Sequence, residues 1–383
     1  MSAIRVLTVC PYGLDRPGGV QGQATGLARS LRKLGHQVVV VAPGDGPITT
    51  VPRATSAAQW WEKGGEAVVG GEIAVRSNGS MAPVSLSPAS AGRVLRWAGN
   101  LRPDVIHLHE PMAPVVGYGC LLRHPAPLVG TFHRSGGSHW YRALAPLAGW
   151  ANHRLDVACA VSEAAAATAE AAMGGACQVL FNGVELDRFE NVRRISTDRP
   201  VVLFLGRHES RKGLGVLLEA FASVPDPAVL WVVGSGPERS ALERRYPSSQ
   251  RVHWLGTLSD AEVARRLASA DVLCAPSLRG ESFGMVLLEA MAAGCAVVAS
   301  DLPGYRAAAG GHAVLVPPGS VPELSRALSE ALSSSSEGSS LRSAAHLAAA
   351  RQHAHGWSMD HLAEQYDAVY RQAIGSGPRN ATG

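Results

Sequence analysis

Lysine is almost missing from this 383-residue chain. Only Lys33, Lys63 and Lys212 occur, and arginine carries the rest of the positive charge. The formal net charge is +4, without the basic clusters on one face that a nucleic-acid binder needs. The six cysteines (Cys10, Cys120, Cys159, Cys177, Cys274 and Cys295) form no C-x-x-C pair. That excludes a ribbon-type zinc site and a dithiol redox motif, and predicts reduced, buried thiols. No D-x-D occurs, so no carboxylate pair is arranged to hold a metal-bound sugar nucleotide. No G-x-G-x-x-G occurs, which counts against a dinucleotide cofactor. No apolar run approaches the ~20 residues that cross a bilayer. The opening "IRVLTVC" lacks the charged and apolar regions of a secretory signal, so a cytoplasmic chain is expected.

Hydrophobic residues make up 46% of the chain and charged residues 17%, as in a well-buried globular protein. Its length exceeds one ordinary core and predicts two domains. β-Branched runs at 4–10, 37–43, 104–109, 127–133 and 157–162 read as strands. A second series follows at 200–206, 228–234, 251–256, 271–276, 295–300 and 312–317, with helical patterns between its members. Alternating strands and helices imply doubly wound parallel sheets, hence two Rossmann-like α/β domains, 1–180 and 181–356, facing across a cleft. The amphipathic segment 357–375 is expected to pack back on the first. The stretch 44–90 carries no readable period.

In open parallel sheets ligands sit beyond the carboxyl ends of strands. After the first strand come Gly18 and Gly19, before a helix. They suit close approach of an anion, and equally a tight structural turn. After 200–206 come Arg207 and Lys212, which suit a diphosphate, or an ordinary solvated loop. After 271–276 comes "SLRGESFGMVLLEA", with Glu281 and Glu289 eight residues apart. That spacing, just over two helical turns, puts both acids on one side. The amides of Ser282, Phe283, Gly284 and Met285 open the helix and suit phosphate. Glu281 reads either as a ligand for sugar hydroxyls or as a charge answering the helix dipole. Glu289 lies among Val286, Leu287, Leu288, Ala290 and Met291, an odd place for a merely solvated acid. His133 ends the strand 127–133, either at a reacting centre or as a structural residue. His107 and His109 are ambiguous.

Together these residues resemble the retaining glycosyltransferases of the GT-B fold, glycosyltransferase family 4. The hallmark E-x(7)-E is matched by Glu281 and Glu289, and the G-R-x(4)-K grip by Gly206, Arg207 and Lys212. "VCPYGLDRPGGVQ", "HLHEP", "TFH", "NGVELDRF" and "GESFGMVLLEAMAAGCAVVASD" are similar to the actinobacterial phosphatidylinositol mannosyltransferases. The resemblance implies transfer of mannose from GDP-mannose, with retention and without a metal, to the inositol of a membrane lipid. It makes the first domain the acceptor side and the second the donor side. It implies that Gly19, Arg207 and Lys212 contact the diphosphate, Glu281 the mannose and Glu289 the ribose, with His133 at the reacting centre. Ser282, Phe283, Gly284 and Met285 complete the donor site, and Tyr12, Asp15 and Gln21 line the acceptor side. It also implies peripheral attachment at the inner face of the plasma membrane. Arg93, Arg96, Trp97 and Arg102, with Trp140, Tyr141 and Trp150, are the candidate contacts.

The chain departs from that family at 78–88, 91–102 and 134–144, all acceptor or membrane elements. The alternatives are therefore a hexosyltransferase using a GDP- or UDP-sugar on another lipid or a soluble acceptor, and a sugar-nucleotide epimerase of the same fold. A dinucleotide oxidoreductase and a non-catalytic sugar-nucleotide sensor stand further off.

Overall fold

The computed structural model describes residues 2–15, 18–77, 80–113, 115–134, 153–281, 283–333 and 341–376, with 74–77 and 80–82 described by backbone alone. Ser282, Trp140, Tyr141 and Trp150 fall outside the described residues. The chain divides into two units. The first comprises 1–183 and 359–383, the second 184–358.

The first unit holds a seven-stranded sheet. Its strands are β1 (Arg5–Val9), β2 (Gln37–Ala42), β3 (Gly65–Val68), β6 (Val105–His109), β7 (Leu128–Phe132), β8 (Val157–Ala160) and β9 (Gln178–Val179). Their order is β3-β2-β1-β6-β7-β8-β9, all parallel. Strands β4 (Ile73–Ser77) and β5 (Ser80–Val84) form a separate antiparallel pair. The stretch without a readable period thus holds a short helix (Ala57–Lys63), the edge strand β3 and this hairpin.

Both faces of the central strands are covered, so these are mostly apolar rather than alternating. Leu7, Val9, Val39 and Val41 face a core shared with Trp97, Leu101 and Phe132. The intervening Val6, Val38 and Val40 face the other side. There they pack with Leu27 and Leu31 of the first helix (Gly19–Lys33) and with Leu362, Tyr366 and Tyr370 of the last helix (Met359–Gly375).

The second unit is a six-stranded parallel sheet of β10 (Val201–Leu205), β11 (Val229–Val233), β12 (Val252–Gly256), β13 (Val272–Ala275), β14 (Ala296–Ser300) and β15 (Val314–Val316). Its order is β12-β11-β10-β13-β14-β15. Serines start several helices as expected of N-caps. Ser259 accepts from the Glu262 amide and Ser343 from the His346 amide. Five cysteines are buried and Cys177 is partly buried, all as free thiols.

One sequence expectation needs correction here. The helix Pro88–Leu101 does bury Val94, Ala98 and Leu101, but Trp97 is also wholly buried, edge-on against Trp60 with ring centroids 4.7 Å apart. A headgroup-level role for Trp97 is therefore excluded. The helix period turns position 97 toward the core beside 94 and 101. Arg93 donates to the Val69 carbonyl, and Arg96 is exposed.

Candidate active site

In the second unit β13 pairs directly with β10, so the loops that leave their carboxyl ends adjoin. The β10 loop carries Arg207, Glu209, Arg211 and Lys212, and the β13 loop carries Ser277 and Glu281. Gly213 lets the loops meet. Its φ is 69°, in the left-handed region, and an added Cβ would run into the Pro276 carbonyl oxygen.

Glu281 accepts from Lys212 Nζ at 2.7 Å, from Ser277 Oγ at 2.9 Å and from Arg211 at 3.3 Å. Glu209 holds Arg207 at 2.8 Å and Arg211 at 2.9 Å. Three cations face two carboxylates, which leaves one excess positive charge. Arg207 is the most open of the group, its side chain 49% exposed against 20% for Lys212. Ser277 is fixed in turn by the Tyr305 hydroxyl at 2.8 Å. Gly284, at φ 102°, starts the helix Met285–Ala293, and its absent Cβ leaves room for the Tyr305 ring 2.6 Å from where that atom would lie. Among the described residues, no group of three or more His, Cys, Asp or Glu is placed to hold a metal ion.

The two acids do not share a helix face, because Glu281 precedes the helix that carries Glu289. They have separate partners. Glu289 lies 3.7 Å from Arg188, which also approaches Asp260 at 3.6 Å. Burial pushes the Glu289 carboxyl up to about 7 from its ordinary 4.5, Arg188 pulling the other way and Asp260 and Glu185 adding to the rise.

The first unit places its own set of residues at the carboxyl ends of β1, β6 and β7. His133 Nε2 lies 2.9 Å from His109 Nδ1, and the His133 amide donates to Glu110 Oε2 at 2.9 Å. Burial holds His133 down to about 3, so it is neutral at physiological pH. Glu110 sits at φ 48°, a strained conformation for a non-glycine residue that places its carboxylate under the His133 amide. Tyr12 bridges to Val84. Its phenol is pushed up by burial first, then by Glu110. Gln21 donates to the Gly13 carbonyl at 3.2 Å, and Asp15 accepts from the Asp45 amide at 2.8 Å. Gly19 opens the first helix with open space around its α-carbon.

Two family models match the chain. One, described as Glycosyltransferase Family 4, covers 17–188, and the other, Glycosyl transferases group 1, covers 199–334. A phosphatidyl-myo-inositol mannosyltransferase of Mycobacterium tuberculosis (strain CDC 1551 / Oshkosh) is 36% identical, over 98% of this chain and 99% of its own. The chain belongs to glycosyltransferase family 4. Another relative, a GDP-mannose-dependent alpha-mannosyltransferase of Mycolicibacterium smegmatis (strain ATCC 700084 / mc(2)155), is 31% identical over 79% of this chain and 81% of its own. Among solved structures, Anabaena Alr3699/HepE in complex with UDP and glucose superposes with a TM-score of 0.72 at 21% identity, over 96% and 99% of the two chains. This family 4 glycosyltransferase therefore has the GT-B architecture of two Rossmann-like lobes.

Arg207, Lys212 and Glu281, singled out from sequence, come together in one cluster. Glu289 lies apart with Arg188. Phe283 is buried with its ring 5.0 Å from Trp357, so its side chain is part of the packing. Gly19, Tyr12, Asp15, Gln21 and His133 all belong to the first unit. Sequence reasoning missed Glu209, Arg211, Ser277, Tyr305 and Arg188 in the second unit. Glu209 had a signal, being an acid set between cations in "RHESRK". In the first unit it missed Gln23 and Asn182.

Proposed function

We propose that this chain transfers mannose from GDP-mannose to the inositol ring of phosphatidylinositol at the cytoplasmic face of the membrane, with the anomeric configuration retained. The observation that carries the reading is the 36% identity, end to end, with a protein named for that transfer. The cation cluster supports the donor half. As the bond from the anomeric carbon to the diphosphate oxygen breaks, negative charge grows on the departing group, and Arg207, Arg211 and Lys212 answer it. Glu281 takes the mannose hydroxyls, Glu289 the ribose hydroxyls, and Gly19 approaches the diphosphate. Tyr12, Asp15 and Gln21 receive the inositol, beside His133. Incubation with a panel of sugar nucleotides and lipid extracts, read by mass spectrometry, tests this. Phosphatidylinositol should gain one hexose with GDP-mannose. Transfer only from another sugar nucleotide, or only to other acceptors, replaces this reading with that of a different hexosyltransferase. Isomerised donor without any acceptor points to the epimerase.

Three expectations follow from the geometry. First, fixed cations neutralise the leaving group, so transfer should survive EDTA. Complete loss that Mg²⁺ or Mn²⁺ restores would overturn this. Second, ribose hydroxyls hydrogen-bond the ionised form of Glu289, whose carboxyl stands at about 7. A group that is partly protonated when free and ionised when bound releases its proton, so GDP affinity should rise with pH up to and through about 7. Calorimetry should show Glu289→Gln flattening that rise while Glu281→Ala leaves GDP affinity nearly unchanged. The opposite pattern reverses the two assignments. Third, the membrane contact rests on Arg93, Arg96 and Arg102, each contributing ~1 kcal/mol near an anionic leaflet. Flotation with phosphatidylinositol vesicles should weaken at high salt and in the Arg93→Glu, Arg96→Glu double variant. Indifference to anionic vesicles, with full-rate transfer to a soluble acceptor, removes the lipid from the proposal.

A further inference from the structure

The last helix reaches into the first unit's histidines. Tyr370 Oη lies 2.8 Å from His107 Nδ1, His107 Nε2 lies 2.7 Å from Thr131 Oγ1, and Thr131 Oγ1 lies 2.7 Å from Tyr366 Oη. Every polar atom of His107 is thereby used. His109 stacks on His107 with ring centroids 4.2 Å apart and spends only Nδ1, on His133. Its Nε2 is buried and makes no hydrogen bond among the described residues. Nor does the buried Oδ1 of Asn182. Both residues line one cavity of about 10 Å³, together with Gln23, Thr131, His133 and Tyr366. Leu27, Val161, Leu180 and Leu362 form the apolar part of its wall, and a space at this lower end of the ~10–15 Å³ needed holds one water where two or more polar partners face it. Asn182 is held there by its neighbour, since the Gln23 side-chain amide both donates to and accepts from the Gly183 backbone, at 2.9 Å and 3.0 Å.

We infer that His109 is a positioning residue that fixes the tautomer of His133, and that one buried water joining His109 Nε2 to Asn182 Oδ1 sets it. The proton inventory follows from donor and acceptor types. Asn182 Oδ1 is an acceptor and takes one water hydrogen. In the proton order Tyr366 to Thr131 to His107 Nε2 both hydroxyl hydrogens are spent, so these hydroxyls, which line the same space, accept the other. The water lone pairs then need a donor, which is His109 Nε2–H. His109 Nδ1 is left as an acceptor, so His133 must donate Nε2–H to it. That leaves His133 Nδ1 unprotonated, a neutral acceptor for a substrate hydroxyl. Burial keeps His109 well below its ordinary value and His133 at about 3, so neither ring takes a second proton that would scramble the arrangement.

The catalytic consequence rests on the proposed placing of His133 at the reacting centre, but the tautomer itself does not. The full chain, labelled with ¹⁵N-histidine, reports the tautomer of each ring by long-range proton–nitrogen correlation. Both His133 and His109 should carry their proton on Nε2. Asn182→Ala should release His109 into mixed tautomers, and with it His133. kcat for GDP-mannose should fall about 10-fold, as for a small loss of orientation, with KM within twofold. Asn182→Asp keeps an oxygen acceptor and should restore both the tautomer and kcat. His133 protonated on Nδ1 in the parent protein overturns the inference, as does a folded Asn182→Ala with unchanged tautomers. If the parent protein never turns over GDP-mannose, the functional reading falls, and the tautomer measurement alone decides this one.

Discussion

Arg207→Ala and Lys212→Ala should each lower kcat by ~10²–10³-fold without unfolding the protein, the usual loss when one preorganised donor to a developing negative charge is removed. Neither side chain is a core element. Arg207 is half exposed, and Lys212 reaches outward from the β10 loop to Glu281. The two variants should differ in kind. Arg207 pairs with Glu209, which Arg211 also holds, so its loss removes a charge and leaves that acid with Arg211. Lys212 is the shortest contact to Glu281, so its loss also lets that carboxylate swing, held only by Ser277 and Arg211. Lys212→Ala should therefore raise KM for the sugar nucleotide as well. Arginine is a poor substitute there, because its longer, planar guanidinium has a different shape from the compact ammonium that meets Glu281. Steady-state rates with circular dichroism as a folding control check this. Unchanged turnover in both variants makes the loop a solvated surface.

Gly213→Ala should be among the most damaging single-methyl changes in the second unit. The residue pays the left-handed penalty of ~1–2 kcal/mol. Its new Cβ must also displace the Pro276 carbonyl, an overpacking cost of ~1–3 kcal/mol. A lobe of this size loses ~2–4 °C per kcal/mol, so Tm should drop on the order of 10 °C. The shift would part the β10 and β13 loops, separating Lys212 from Glu281, so affinity for the donor should collapse even below the new Tm. Calorimetric melting together with GDP titration tests both halves. An unshifted Tm with full affinity means that the loops approach each other less closely than the backbone indicates.

Most of the two sheets was legible in the chain. Runs such as "QVVVVA" and "PVVLFL" are buried on both faces, and burial on both faces demands continuous apolar sequence. The helix Met285–Ala293 was legible because Gly284 and Gly294 bracket it. The region 44–90 was not, because edge strand β3 and the hairpin are short and β3 is only partly buried, and neither condition imposes a strong period. Trp97 was misplaced because residue type suggested an interface, while its helical phase put it in the core.

The sequence alone determined which chemistry was present, namely the acids, the cations, the histidines and the strands that carry them. Only the tertiary structure decided the partners. Glu281 meets Lys212 across 69 residues because β13 lies beside β10, and strand order leaves no trace in local periodicity. Tyr370 meets His107 across 263 residues because the last helix packs on the first sheet. Hydrophobic periodicity reports which face of an element is buried, whereas a hydrogen bond depends on which element covers that face, and that is set by the packing of the whole lobe.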